Sequence, residues 1–111
     1  MKMSRKFIYT NLFLHCWKSM GLNDDDLRDL ELTLLVNPQM GDVIEGTGGA
    51  RKVRIPLGRR GKRGGGRVIY LDVFEQENLY LLFAYPKNVQ NDLAPDQKKM
   101  IRKMIEMIRK E

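Results

Sequence analysis

Cysteine and histidine each occur once, as Cys16 and His15, and no apolar run approaches the roughly 20 residues that span a bilayer. A lone cysteine closes no internal disulfide. One cysteine with one histidine also leaves too few soft ligands for a zinc or iron site, so neither a metal nor another cofactor is expected. The opening residues, Met1 to Thr10, are positively charged but contain no signal-peptide core and no small-residue cleavage site. These absences point to a cytoplasmic protein with no membrane association.

Several catalytic patterns are missing as well. Gly61-Lys62 is followed by Arg63 and lacks the upstream glycine of a phosphate-binding loop, and Gly46-Thr47-Gly48 continues as Gly49-Ala50-Arg51, which breaks the dinucleotide fingerprint. Ser4 and Ser19 lie outside any strand-to-helix elbow, and His15 falls within a helical pattern, so a serine hydrolase triad is not supported. His15 and Cys16 read as structural helix residues.

What is present is a chain of 111 residues, 42% hydrophobic and 31% charged, expected to form a single domain over 1–111 with a small core. Its 20 basic and 14 acidic residues give a net charge of +6 and are sorted into blocks. No acidic residue interrupts the stretch from Arg51 to Arg67, which holds Arg51, Lys52, Arg54, Arg59, Arg60, Lys62, Arg63 and Arg67. Such a run repels itself unless a polyanion is near, and a phosphate backbone is its usual partner; a solvated basic loop is the alternative.

Lys6 to Thr10 reads as a first strand. Leu12, Phe13, Trp17 and Met20 keep helical spacing up to Gly21, and a second helix begins at Asn23, which with Asp26 forms a capping box. Leu22 and Leu27 occupy its staple positions, Leu27, Leu30 and Leu34 form its buried stripe, and Asn37-Pro38 stops it. Residues 41 to 50, with four glycines, read as a connection that turns sharply into a strand. In Arg51 to Leu57, Val53 and Ile55 alternate with Lys52 and Arg54. Further strands are expected over Arg67 to Glu75 and Leu79 to Tyr85, and a final helix from Asp96 carries Met100, Ile101, Met104, Ile105 and Ile108 on one face. The expected class is α+β: an antiparallel sheet with its helices, two N-terminal and one C-terminal, packed on one side.

An antiparallel meander allows Lys52 and Arg54, Arg67, and Tyr85 with Lys87 to converge from three neighbouring strands. That set suits phosphodiester cleavage. Arginine stabilises charge on a pentacoordinate phosphorane, one group takes the proton of the attacking 2′-hydroxyl, and another protonates the leaving 5′-oxygen. A lysine acts as base only when its pKa falls, and crowding by cations lowers it. The same residues would equally serve to bind phosphate without cutting, or face solvent.

The blocks Val43-Ile44-Glu45-Gly46-Thr47-Gly48-Gly49-Ala50-Arg51-Lys52 and Gly61-Lys62-Arg63-Gly64-Gly65-Gly66-Arg67-Val68-Ile69-Tyr70 resemble the HigB-like branch of the RelE toxins, together with Leu35-Val36-Asn37-Pro38, Tyr85-Pro86-Lys87-Asn88 and Asp92-Leu93. The resemblance runs in order from about residue 7 to residue 105. It implies a small α+β toxin of a bacterial toxin–antitoxin pair that enters the A site of the 70S ribosome and cuts mRNA. It also implies neutralisation by a cognate, HigA-like helix-turn-helix antitoxin, through which alone operator DNA is met. Residue by residue, Lys52 and Arg54 match the family's basic pair, Arg67 the arginine on the scissile phosphate, and Lys87 the basic position after the last strand. The family's general acid is a tyrosine in the C-terminal segment; Tyr85 falls near it, but the final helix here has none. Arg51, Arg59, Arg60, Lys62 and Arg63 are expected to contact RNA or the ribosome. A gyrase-poisoning toxin of the ParE type and a catalytically inactive RNA-binding module are the competing readings, and the basic set at 52, 54, 67 and 87 argues against the first.

Overall fold

The computed structural model describes residues 4–57 and 65–110. Strand formers at Lys6–Tyr9 make β1, and Thr10 ends it: the Thr10 hydroxyl accepts from Phe13 N (2.9 Å) as the N-cap of α1 (Asn11–Ser19) and donates to Leu82 O (3.0 Å). Gly21 follows the helix with φ of +77°, a left-handed conformation that a side chain resists. The capping box is then made in both directions. Asn23 Oδ1 accepts from Asp26 N and Asp26 Oδ2 from Asn23 N, each at 2.9 Å, so α2 runs over Asp24–Val36. Asp24, Asp25 and Asp26 occupy its first turn, where the helix dipole favours negative charge.

Residues 41 to 50 do more than connect: Asp42–Val43 pairs as a short strand, β2, with the start of β3 (Arg51–Ile55). Thr47, fully buried, donates to Ile44 O (2.7 Å) and accepts from Ala50 N (3.1 Å), which pins the turn leading into β3. β4 (Gly66–Val73) and β5 (Asn78–Pro86) follow, joined by a 3₁₀ turn at Phe74–Gln76. Phe74 and Glu75, expected to extend the strand, lie in that turn. Phe74 is exposed there beneath the Arg5 guanidinium, 5.5 Å from its ring centre. The last helix, α3 (Pro95–Lys110), opens with proline in its first turn, where no backbone N–H is needed.

The sheet order is β1-β5-β4-β3-β2. β3, β4 and β5 form the antiparallel meander expected from the sequence, while β1 joins the far edge parallel to β5 and makes the sheet mixed. The helices do not share one side. Phe13, Trp17, Leu30 and Leu34 from α1 and α2 pack on Val53, Ile55, Val68, Tyr70, Leu79 and Leu81. Ile101 and Ile105 from α3 pack on the other face, against Ile69, Leu71, Leu82 and Phe83. Both faces of β4 and β5 are thus covered, which is why β5 reads as a continuous apolar run rather than an alternating one. A bulge lets Leu82 and Phe83 both face α3: Ile69 pairs with Phe83 and Tyr70 with Leu81, leaving Leu82 as the extra residue. No helix among the described residues is long and apolar enough to cross a membrane.

Candidate functional site: a cationic row across three strands

Register decides which charges meet. Arg54 pairs with Arg67, and Arg67 pairs with Tyr85, so these three residues form one row across β3, β4 and β5. Directly paired residues share a sheet face. Arg67 and Tyr85 lie on the face that carries α3, because their β4 and β5 neighbours Val68 and Ala84 pack beneath α1 and α2. Lys52 lies two residues from Arg54 on the same face, opposite Ile69.

Burial differs sharply along the row. Arg54 is exposed, whereas Arg67 is only 4% exposed and donates from Nη1 to Gly66 O at 3.1 Å. The field of a guanidinium set this deep reaches its neighbours more strongly than that of a surface cation would. Burial pushes the Tyr85 phenol above its ordinary value; the negative charge of Asp92 adds to that and Arg67 opposes it. Tyr85 is therefore a protonated phenol at neutral pH, with its hydroxyl 3.5 Å from Asn91 O. Lys52 Nζ donates to Asp92 Oδ1 at 2.6 Å. That hydrogen bond is the first cause holding the Asp92 carboxyl below the ordinary carboxylate range, with Lys98 and Arg67 adding to it.

Lys87 is exposed immediately beyond β5, its backbone N–H on Gly65 O at 3.0 Å, which places it at the same end of the sheet as the row. Arg51 is set apart. It faces the α2 side, and Nη1 donates to Gly41 O (2.7 Å) and Gln39 O (3.2 Å), tying the 39–41 connection to β3. Arg59, Arg60, Lys62 and Arg63 lie outside the described residues. Sequence reasoning assigned no role to Asp92, although Asp92-Leu93 lies in the stretch that carries the resemblance and Asp92 is the only acidic residue between Glu77 and Asp96. Arg54 also borders a groove of about 210 Å³ between α2 and β3, lined by Trp17, Leu22, Leu30, Val53 and Ile55.

A family model described as the RelE toxin of the RelE/RelB toxin–antitoxin system matches residues 8–110. The chain belongs to the RelE toxin family. Among solved structures, the E. coli toxin RelE in the free state, carrying two arginine-to-alanine substitutions, superposes with a TM-score of 0.56 at 14% identity. That match covers 79% of this chain and 88% of the other. RelE in the intact E. coli RelBE toxin–antitoxin complex also gives 0.56 at 14% identity, over 75% of this chain and 96% of that one. The isolated E. coli RelE toxin gives 0.55 at 12% identity, over 91% and 99%. At such identities the RelE structures establish a common fold; the cationic row is read from this RelE-family chain's own residues.

Proposed function

We propose that this protein is the toxin of a bacterial type II toxin–antitoxin pair, in the HigB-like branch, and that it is a ribosome-dependent mRNA endoribonuclease. The observation that carries the reading is the row Arg54–Arg67–Tyr85, flanked by Lys52 on the same sheet face. In-line attack of a 2′-hydroxyl, whose proton passes to solvent water, forms a 2′-O–P bond, breaks the P–O5′ bond, and builds negative charge on the phosphorane oxygens. Arg67, charged and buried, stabilises that charge, while Arg54 and Lys52 hold the flanking phosphates. Tyr85, kept protonated by burial, donates a proton to the departing 5′-oxygen. Lys87 and the cations Arg59, Arg60, Lys62 and Arg63 extend the phosphate-binding surface, while Arg51, on the other face of β3, ties the 39–41 connection to the strand that carries Lys52 and Arg54.

Nothing in this row resembles a free-standing nuclease with paired histidines or carboxylates, which supports dependence on a scaffold that presents the message in register, the A site of the 70S ribosome. Solved RelE structures include complexes with antitoxin, and the parallel supports a cognate antitoxin here, of the HigA-like helix-turn-helix kind, which alone would contact operator DNA. Translation arrest would then be exerted in the bacterial cytoplasm by a single domain over 1–111.

Purified protein incubated with mRNA, with and without 70S ribosomes programmed with it, tests the reading by primer extension. New 5′ ends confined to A-site codons, and lost in Arg67→Ala, are the expected result. Growth arrest with gyrase inhibition and no cleavage would replace it with the ParE-type reading, and a folded protein that neither cuts nor arrests growth would replace it with the inactive binding module.

A further inference from the structure

The cationic face is already holding an anion, and that anion belongs to the chain itself. Lys52 and Asp92 are 40 residues apart in sequence, yet their side chains meet at 2.6 Å beside the Arg54–Arg67–Tyr85 row. Asp92 arrives on the loop between β5 and α3, and that loop is clasped on both sides. Gln90 and Gln97 exchange side-chain amide hydrogen bonds, Gln90 Nε2 to Gln97 Oε1 at 2.7 Å and Gln97 Nε2 to Gln90 Oε1 at 3.3 Å. Gln90 Nε2 also donates to Asp92 O (2.9 Å), and Gln97 Oε1 accepts from Ala94 N (2.9 Å). Leu93 is buried against the α3 side of the sheet. The carboxylate is delivered to Lys52 by an anchored backbone.

The pair itself is open. The Asp92 side chain is 67% exposed and that of Lys52 26% exposed, so another anion can approach Lys52 from solvent, and an ion pair in that setting is readily exchanged. Lys98 and Arg67 also act on the same carboxylate, so it stands within the converging field of three cations. A phosphodiester oxygen carries the same charge and accepts the same hydrogen bonds.

We propose that Asp92 is an internal stand-in for the substrate phosphate, occupying Lys52 until a phosphodiester displaces it. The chemical identity of that ligand rests on the ribonuclease reading; the competition at Lys52 does not. Asp92 then sets a threshold. Free RNA must outcompete a carboxylate tethered at high local concentration, whereas RNA held beside the site by a larger scaffold competes on equal terms.

The test is binding of a fluorescein-labelled 2′-O-methyl trinucleotide, which carries phosphodiesters but has no attacking hydroxyl, followed by anisotropy at about 100 mM salt, where distant charges are largely screened. Wild type is compared with Asp92→Asn, Lys52→Ala, the double variant and Asp96→Asn, all checked for folding by circular dichroism. Asp96 lies in the first turn of α3 and controls for the loss of one negative charge. Asp92→Asn is expected to tighten binding roughly three- to tenfold, on the scale of a near-surface charge pair. Asp96→Asn should change it little, and the gain should disappear in the Lys52→Ala background. An Asp92→Asn protein that binds no tighter than Asp96→Asn, binds more weakly than wild type, or keeps its gain without Lys52 overturns the proposal. Primer extension on ribosomes separates the two ideas: absent cleavage with a Lys52-dependent gain removes the ribonuclease reading and leaves the stand-in, and cleavage without such a gain does the reverse.

Discussion

Tyr85 stands directly opposite Arg67 in the β4–β5 ladder, a buried phenol paired with a buried guanidinium on the sheet face that α3 covers. Burial raises the phenol's pKa most, Asp92 raises it further, and Arg67 pulls it down. Tyr85→Phe keeps the ring in place and removes the proton. Cleavage on programmed ribosomes is expected to fall by about a hundredfold or more, within the usual range for a general acid. Stability should change by less than about 1 kcal/mol, because the hydroxyl's contact with Asn91 O is long. Tyrosinate absorbance offers a direct check. A phenol with a raised folded-state pKa contributes stability that is intact below its unfolded pKa and lost as pH rises through the folded value. Tyr85→Phe should therefore lack one late-ionising phenol and unfold less readily across that alkaline window.

Glu31 offers the acidic counterpart. Its carboxylate accepts from the Tyr9 hydroxyl, joining α2 to β1, and burial raises its pKa above the ordinary carboxylate value. The sign follows directly: stability is complete below the unfolded pKa and declines as pH rises through the folded one. Glu31→Gln keeps an acceptor for Tyr9 and removes the desolvated charge. The expected outcome is a higher Tm at pH 7, with the advantage over wild type shrinking towards pH 4, measured by thermal melts across that range.

Tyr70 holds the connection before β2. Its hydroxyl donates to Pro38 O (2.8 Å) and accepts from Gly41 N (3.0 Å) inside the core. Tyr70→Phe strands both backbone groups, and a loss of about 1–3 kcal/mol is expected. Urea unfolding should show a lower midpoint with an unchanged slope, since the surface exposed on unfolding is the same.

Gly65 precedes the strand that carries Arg67, with φ of +50°, and a Cβ there would lie 2.2 Å from Ile55 O. Neither the dihedral nor the space suits a side chain. Gly65→Ala should destabilise by more than about 1 kcal/mol and, by moving the start of β4, weaken trinucleotide binding as well. A variant with wild-type stability would overturn this reading of Gly65.

Much of this architecture was legible because its causes are local. Asn23 and Asp26 announce the start of α2 through a hydrogen-bond exchange three residues apart, and the alternation of Val53 and Ile55 with Lys52 and Arg54 follows from the two-residue period of a strand. Where causes were not local, the reading stopped short. Asp42–Val43 is too short to carry a periodic signal, and its pairing depends on β3 lying alongside. The apolar residues Phe74 and Val73 looked alike in a strand pattern, yet Phe74 turns out to solvent once the chain reverses.

Near-neighbour chemistry alone sets where helices begin and end, which residues alternate along β3, and that one stretch of the chain is cationic without relief, since each follows from hydrogen bonds, side-chain direction or charge among near neighbours. Longer-range packing set the rest: that α3 covers the face opposite α1 and α2, that β1 runs parallel to β5, that Arg51 ties down the 39–41 connection, and that Lys52 meets Asp92. Strand periodicity states that neighbouring residues point to opposite faces but not which helix each face receives. A contact across 40 residues forms only after register and packing have brought the two side chains together.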